Sequence, residues 1–99
     1  MPRTTLRRRR PDRPRQLAYR IVRAVTSDDA YANLETARVL ADAKLDARDA
    51  AFVTELVAGT CRLRGSYERI LAAASGRPRF DPPLADALAL GVHQLLSMR

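Results

Sequence analysis

Few residues of this chain have the makings of chemistry. Cys61, the single cysteine, lies beside Thr60 in the stretch DAAFVTELVAGTCRLRG, residues 49–65, with Arg62 and Arg64 close behind it. A thiol next to cations has the pattern of an activated nucleophile, which needs a lowered pKa at an accessible, electropositive site. Helical phase argues for packing instead. Cys61 follows Val53 by eight residues and Val57 by four, so it shares their apolar stripe, and Arg62 and Arg64 are expected to rotate away from it. The expected role is that of a small packed hydrophobe.

His93, the single histidine, has no second histidine, cysteine pair or carboxylate at metal-ligand spacing. Asp86 precedes it by two helical turns without completing a ligand pattern. A flank position without a special role is expected for His93. The carboxylates, the Asp28–Asp29 pair included, read as helix caps and exposed charges, not as acid–base groups. None of the four glycines forms a phosphate-cradling loop between a strand and a helix. No catalytic, cofactor-binding or metal-binding residue is assigned, and the chain by itself is not expected to be an enzyme.

Charge is the stronger signal. The net charge is +7, and residues 1–15, MPRTTLRRRRPDRPR, hold seven arginines against Asp12 alone. Residues 16–99 are nearly balanced, with eleven basic and ten acidic side chains. So dense a run of like charge, poor in apolar residues and interrupted by Pro11 and Pro14, is expected to stay flexible until bound. Guanidinium groups make bidentate phosphate contacts, and a basic arm gains affinity as counterions leave a nucleic-acid backbone. Arg7, Arg8, Arg9, Arg10, Arg13 and Arg15 are therefore candidate RNA-binding residues. Arg20, on the outward side of the first helix, is another. The RRRR run lacks the apolar stretch that follows the basic start of an export signal.

The elements that must carry this arm are helical. The length allows one domain, and an alanine-rich apolar set with three Tyr, two Phe and no Trp suits close helix packing. One cysteine forms no intrachain disulfide, and no apolar run approaches the roughly 18 residues of a membrane span, so the cytoplasm is expected. Seventeen arginines to one lysine suggest a GC-rich bacterial genome.

The spacing of Leu17, Ala18, Ile21, Val22 and Val25 predicts a first helix from about Pro14 to Val25. Ser27, Asp28 and Asp29 are cap candidates for a second helix, about 30–42. Asp46 and Asp49 open a third. Its stripe runs through Phe52, Leu56 and Thr60 to Tyr67, Ile70 and Leu71, so one long, bent helix to Ala74 is favoured, with Gly59 or Gly65 as alternative breaks. SGRPRFDPP is a loop. Asp81 then caps a final helix with Pro82 or Pro83 in its first turn, and Leu84, Leu88, Val92, Leu95 and Leu96 mark its buried face. That pattern is still running at Arg99, so the chain is expected to be cut from something longer.

RDAAFVTELVAGTCRLRGSYERIL followed by DPPLADALALGVHQLLSMR resembles the amino-terminal domain of bacterial ribosomal RNA 5-methylcytosine methyltransferases, a domain similar to the antitermination factor NusB. The resemblance covers residues 16–99, and its most specific pieces are residues 49–60 and 91–99. It implies an all-α, NusB-like bundle, incomplete at the C-terminus, that binds RNA through the arginine-rich segment leading into its first helix. The implied division is an arm over 1–15 and a helical domain over 16–99. It also implies a separate methyltransferase domain that binds S-adenosylmethionine and uses a cysteine after proline as nucleophile, a pattern that Thr60–Cys61 does not match. The alternative is a stand-alone antitermination factor that binds RNA and a ribosomal protein. Neither reading implies a membrane or a metal.

Overall fold

A computed structural model describes residues 12–98. They form five helices and no strand: α1 (Arg13–Asp28), α2 (Ala32–Ala43), α3 (Ala47–Arg62), α4 (Arg64–Ser75) and α5 (Pro82–Ser97). The expected all-α class is observed. α1 packs against α2, α3 and α5, and α4 packs chiefly on α5.

Local chemistry places the helix starts. The Asp12 carboxylate accepts from the Arg15 amide at 3.3 Å with Pro14 in the first turn, and the Asp46 carboxylate accepts from the Asp49 amide at 2.8 Å. Each satisfies an amide that the first turn leaves free. Asp81 occupies the cap position of α5, but its side chain makes no capping bond; Pro82 at the first helical position sets that start.

The α1–α2 junction differs from the expectation. α1 continues past Val25 to Asp28, and Asp29 closes it in the left-handed region at φ 58°, its amide donating to the Ala24 carbonyl. The Ser27 hydroxyl turns back to the Arg23 carbonyl at 2.6 Å. These residues therefore end α1 and do not cap α2, which starts after Tyr31 with no side-chain cap. A short aspartate tolerates the left-handed region better than most residues, so the turn forms where the apolar stripe stops.

The long third helix is divided, at neither glycine. Leu63 alone (φ −101°, ψ 14°) separates α3 from α4, with its amide donating to Gly59 and its carbonyl accepting from Tyr67, both at 3.0 Å. One residue in the bridge region redirects the axis while these flanking bonds persist.

The core comprises Leu17, Ala18, Ile21 and Val22 of α1, Val39 and Ala43 of α2, Val53, Leu56 and Val57 of α3, and Leu90 of α5. On α5 the expected face is wrong. Asp86, Ala89, Leu90 and His93 point inward, whereas Leu84, Leu95 and Leu96 are exposed and Leu88 and Val92 are half-buried. Ile70 of α4, expected inside, is also exposed. The inward set follows an i, i+3, i+4, i+7 rhythm of its own, and two of its members are polar groups with partners waiting on α1, α3 and α4.

Gly59 is part of that fit. A Cβ there would collide with the His93 ring, whereas at Gly65 the nearest atom is the mobile Arg69 guanidinium at 3.8 Å. Gly59→Ala is therefore expected to cost about 1–3 kcal/mol through overpacking, despite the better helix propensity of alanine. Gly65→Ala, in open space, is expected to stabilise by about 0.5–1 kcal/mol. Urea unfolding of the two variants checks the opposite signs.

Candidate nucleic-acid interface

Helix α1 positions three of the seven candidate arginines; Arg7, Arg8, Arg9 and Arg10 lie outside the described residues. Seven residues is nearly two full turns, so Arg13 and Arg20 project within about 20° of each other. Both are exposed and flank the stripe that buries Leu17 and Ile21. Arg13 and Arg20 make no ion pair among the described residues. The field of Arg20 reaches α2, where the Glu35 carboxyl is held below its usual range first by its hydrogen bond to Arg38 and, to a smaller degree, by Arg20.

Arg15 is separated from that pair. Its guanidinium lies over the Phe52 ring, 5.0 Å from the centroid, pairs with Asp12 and bonds the Gln94 side chain. It therefore ties α1 to α3 and α5 while keeping about half of its side-chain surface exposed. Arg13 and Arg15 belong to the first turn of α1, so the basic segment enters the bundle as helix and not as a free arm at these positions.

Behind this surface lies a polar centre that the spacing of apolar residues did not reveal. Asp86 is fully buried. Its carboxylate accepts from Arg23 and Arg64, each at 2.7 Å, and from the Thr26 hydroxyl at 3.2 Å. Arg64 was expected to turn away and Asp86 to be a surface or capping charge; the bend at Leu63 instead brings the guanidinium inward. His93, expected on a flank, is also fully buried. The Tyr67 hydroxyl bonds its Nδ1 at 2.7 Å and lies 3.3 Å from the Ser97 hydroxyl, and its Nε2 faces the Glu55 carboxylate at 3.3 Å. The sequence signal for both is that they keep phase with Ala89 and Leu90.

These groups do not assemble an acid–base site. Asp86 is saturated by two cations and a hydroxyl, and seven residues of helix hold His93 about 10 Å further along α5. Among the described residues no group of three or more His, Cys, Asp or Glu side chains is placed to hold a metal, and no helix is long and apolar enough to cross a membrane.

Cys61 is half-buried against the core, at the edge of a hollow of about 540 Å³ between α2 and α3. Burial pushes its thiol above the usual range, opposed by Arg64 and assisted by Asp86. That is the reverse of nucleophile activation, and the packing role stands.

The model of the NusB family matches residues 12–99. The chain belongs to the NusB family. Over 101 residues it is 48% identical to proteins of two Mycobacterium tuberculosis strains, each named "Putative methyltransferase", covering 99% of this chain and 22% of each relative. A Synechocystis protein named "Probable ribosomal RNA small subunit methyltransferase B" is 32% identical over 83 residues, covering 82% of this chain and 19% of that protein. The chain thus spans about a fifth of the length of the curated relatives it matches. No solved structure matches it.

Two outcomes follow for this NusB-family domain. Asp86→Ala strands two inward-turned arginines and is expected to cost about 3–5 kcal/mol, read by chemical denaturation. For Cys61, the folded chain holds the thiol proton to higher pH than the unfolded chain does. Stability is therefore level below the ordinary thiol pKa and falls as pH rises through it. Unfolding midpoints from about pH 7 to 10 should show this fall, and Cys61→Ser should remove it.

Proposed function

We propose that this NusB-family domain binds RNA through the arginine-rich segment and the outward face of α1, and that it presents ribosomal RNA to a cytosine-C5 methyltransferase domain that uses S-adenosylmethionine. The observation that carries the reading is that the chain aligns along nearly its whole length with about a fifth of proteins named as methyltransferases, one of them a ribosomal RNA enzyme. The domain itself supplies binding and no chemistry. Its Asp86, His93 and Cys61 are occupied in packing, while Arg13 and Arg20 are exposed. The partners are then RNA and the methyltransferase domain, and the setting is the cytoplasm.

Arg7, Arg8, Arg9 and Arg10 take phosphates at the entry to α1, Arg13 and Arg20 extend the track along the helix, and Arg15 fixes the first turn against Phe52 while its exposed edge contributes charge. Such contacts set position and register without reading bases. If the four arginines of the run neutralise about four phosphates of single-stranded RNA, log affinity falls with log salt at a slope near −3. Replacing Arg7 to Arg10 with alanine is expected to flatten that slope and to weaken unrelated RNAs by a similar factor. Titrations of both chains against two RNAs at several salt concentrations check this, and an unchanged slope would overturn it.

A further inference from the structure

The segment between α4 and α5 is exposed, basic and held in shape. Gly76, at φ 74°, closes α4 with its amide on the Ala72 carbonyl at 2.9 Å, and the Arg77 amide donates to the Ser75 hydroxyl at 3.1 Å. Pro78 restrains the middle, and Pro82 starts α5. A loop restrained in this way has less conformational freedom to lose when it takes a ligand.

Its two cations are free to act. Arg77 and Arg79 are exposed and make no ion pair among the described residues. Glu68, which shares a hollow with Arg79 and Phe80, is engaged by Arg64 at 3.0 Å. The loop's own carboxylate, Asp81, sits at the positive end of α5, where the helix dipole offsets its field. The Arg77 guanidinium stands over the Phe80 ring, 4.9 Å from the centroid. An arginine parked on an aromatic ring is a preassembled platform of the kind on which unpaired bases stack.

The loop is also continuous with α1. The Tyr19 hydroxyl donates to the Pro83 carbonyl at 3.4 Å, and Arg23 and Thr26 grip Asp86 one turn further on. α1 and α5 run antiparallel, with Arg15 at Gln94 and Thr26 at Asp86. The first turn of α5, which follows the loop, therefore meets α1 at Tyr19, about 9 Å along the helix from Arg13, a span that a few extended nucleotides cover.

We infer that the α4–α5 loop is a second contact for single-stranded RNA, in which Arg77 and Arg79 take backbone phosphates and the Arg77–Phe80 pair stacks an unpaired base. This rests on the RNA-binding reading above and adds a site, a strand preference and a direction, with the RNA running along α1 from the arginine run to the loop.

The test titrates the whole chain with a fluorescently labelled single-stranded 12-mer and with a duplex of equal length across a salt series. Arg77→Ala combined with Arg79→Ala, both exposed, is expected to reduce the single-strand salt slope by about 1.4, two phosphates' worth, and to lower affinity roughly tenfold at low salt. Lysine at both positions should restore the slope. Phe80→Leu should leave the slope intact and cost about 5- to 50-fold in single-strand affinity, with little change for duplex. Circular dichroism confirms that the variants keep their helices. If the intact chain binds neither RNA, the RNA-binding reading itself fails. If it binds and the Arg7–Arg10 variant flattens the slope while the Arg77/Arg79 variant does not, the loop assignment alone is overturned. Equal displacement of RNA from the intact and the double-alanine chain by polyglutamate would likewise overturn it, since the loop would then contribute nothing specific to the contact.

Discussion

The carboxylate of Asp86 holds three helices in one arrangement. It projects from α5 into a region without solvent, and the two cations that make this tolerable come from different elements, Arg23 from α1 and Arg64 from α4. Taking a carboxylate out of water costs several kcal/mol, and attraction offsets that cost only when geometry is close and the remaining lone pairs are used. Here the Thr26 hydroxyl supplies the further bond. A displacement of α4 or of the second half of α1 would leave a buried charge short of a partner, so the network penalises alternative packings more sharply than apolar contact does.

Much else about the bundle follows from that requirement. Arg64 comes directly after the bend at Leu63, and the bend directs it to Asp86 and places Tyr67 against His93. The imidazole in turn packs on Gly59, where α3 and α5 approach so closely that no side chain fits. α5 thus spends its inward face on Asp86, Ala89, Leu90 and His93, and its leucines at 84, 95 and 96 fall outside. The arrangement also orients α1. With Arg23 committed inward and Arg15 lodged over Phe52, Arg13 and Arg20 are the arginines of α1 left exposed without an ion pair among the described residues. The polar interior and the basic exterior are two consequences of one helix orientation.

Membership of the NusB family fits a domain of this design. Its interior charges are saturated, its imidazole and sulfur are committed to packing, and exposed arginines remain on α1 and on the α4–α5 loop. The relatives named as methyltransferases are far longer than this chain, so chemistry in those proteins has ample room in other segments.

The sequence by itself determined the all-α class, the family, the caps at Asp46 and the α5 prolines, the core stripes of α1 and α3, and the packing role of Cys61. Each of these depends on neighbours within a few turns, and hydrophobic periodicity and terminal amides record such neighbours directly. Only the tertiary structure decided the inward face of α5, the bend at Leu63, the burial of Asp86 and His93 and the inward turn of Arg64. The periodicity of α5 offered two faces, one of leucines and one with an aspartate and a histidine, and transfer energies favour burying the leucines. That preference reverses when partners more than twenty residues away, Arg23, Arg64 and Tyr67, supply the charges and hydrogen bonds that the polar face requires. No local pattern records a partner so distant in the chain. The same holds for the basic surface: the arginine count was plain from composition, but which guanidinium groups face outward depended on which ones the interior had already taken.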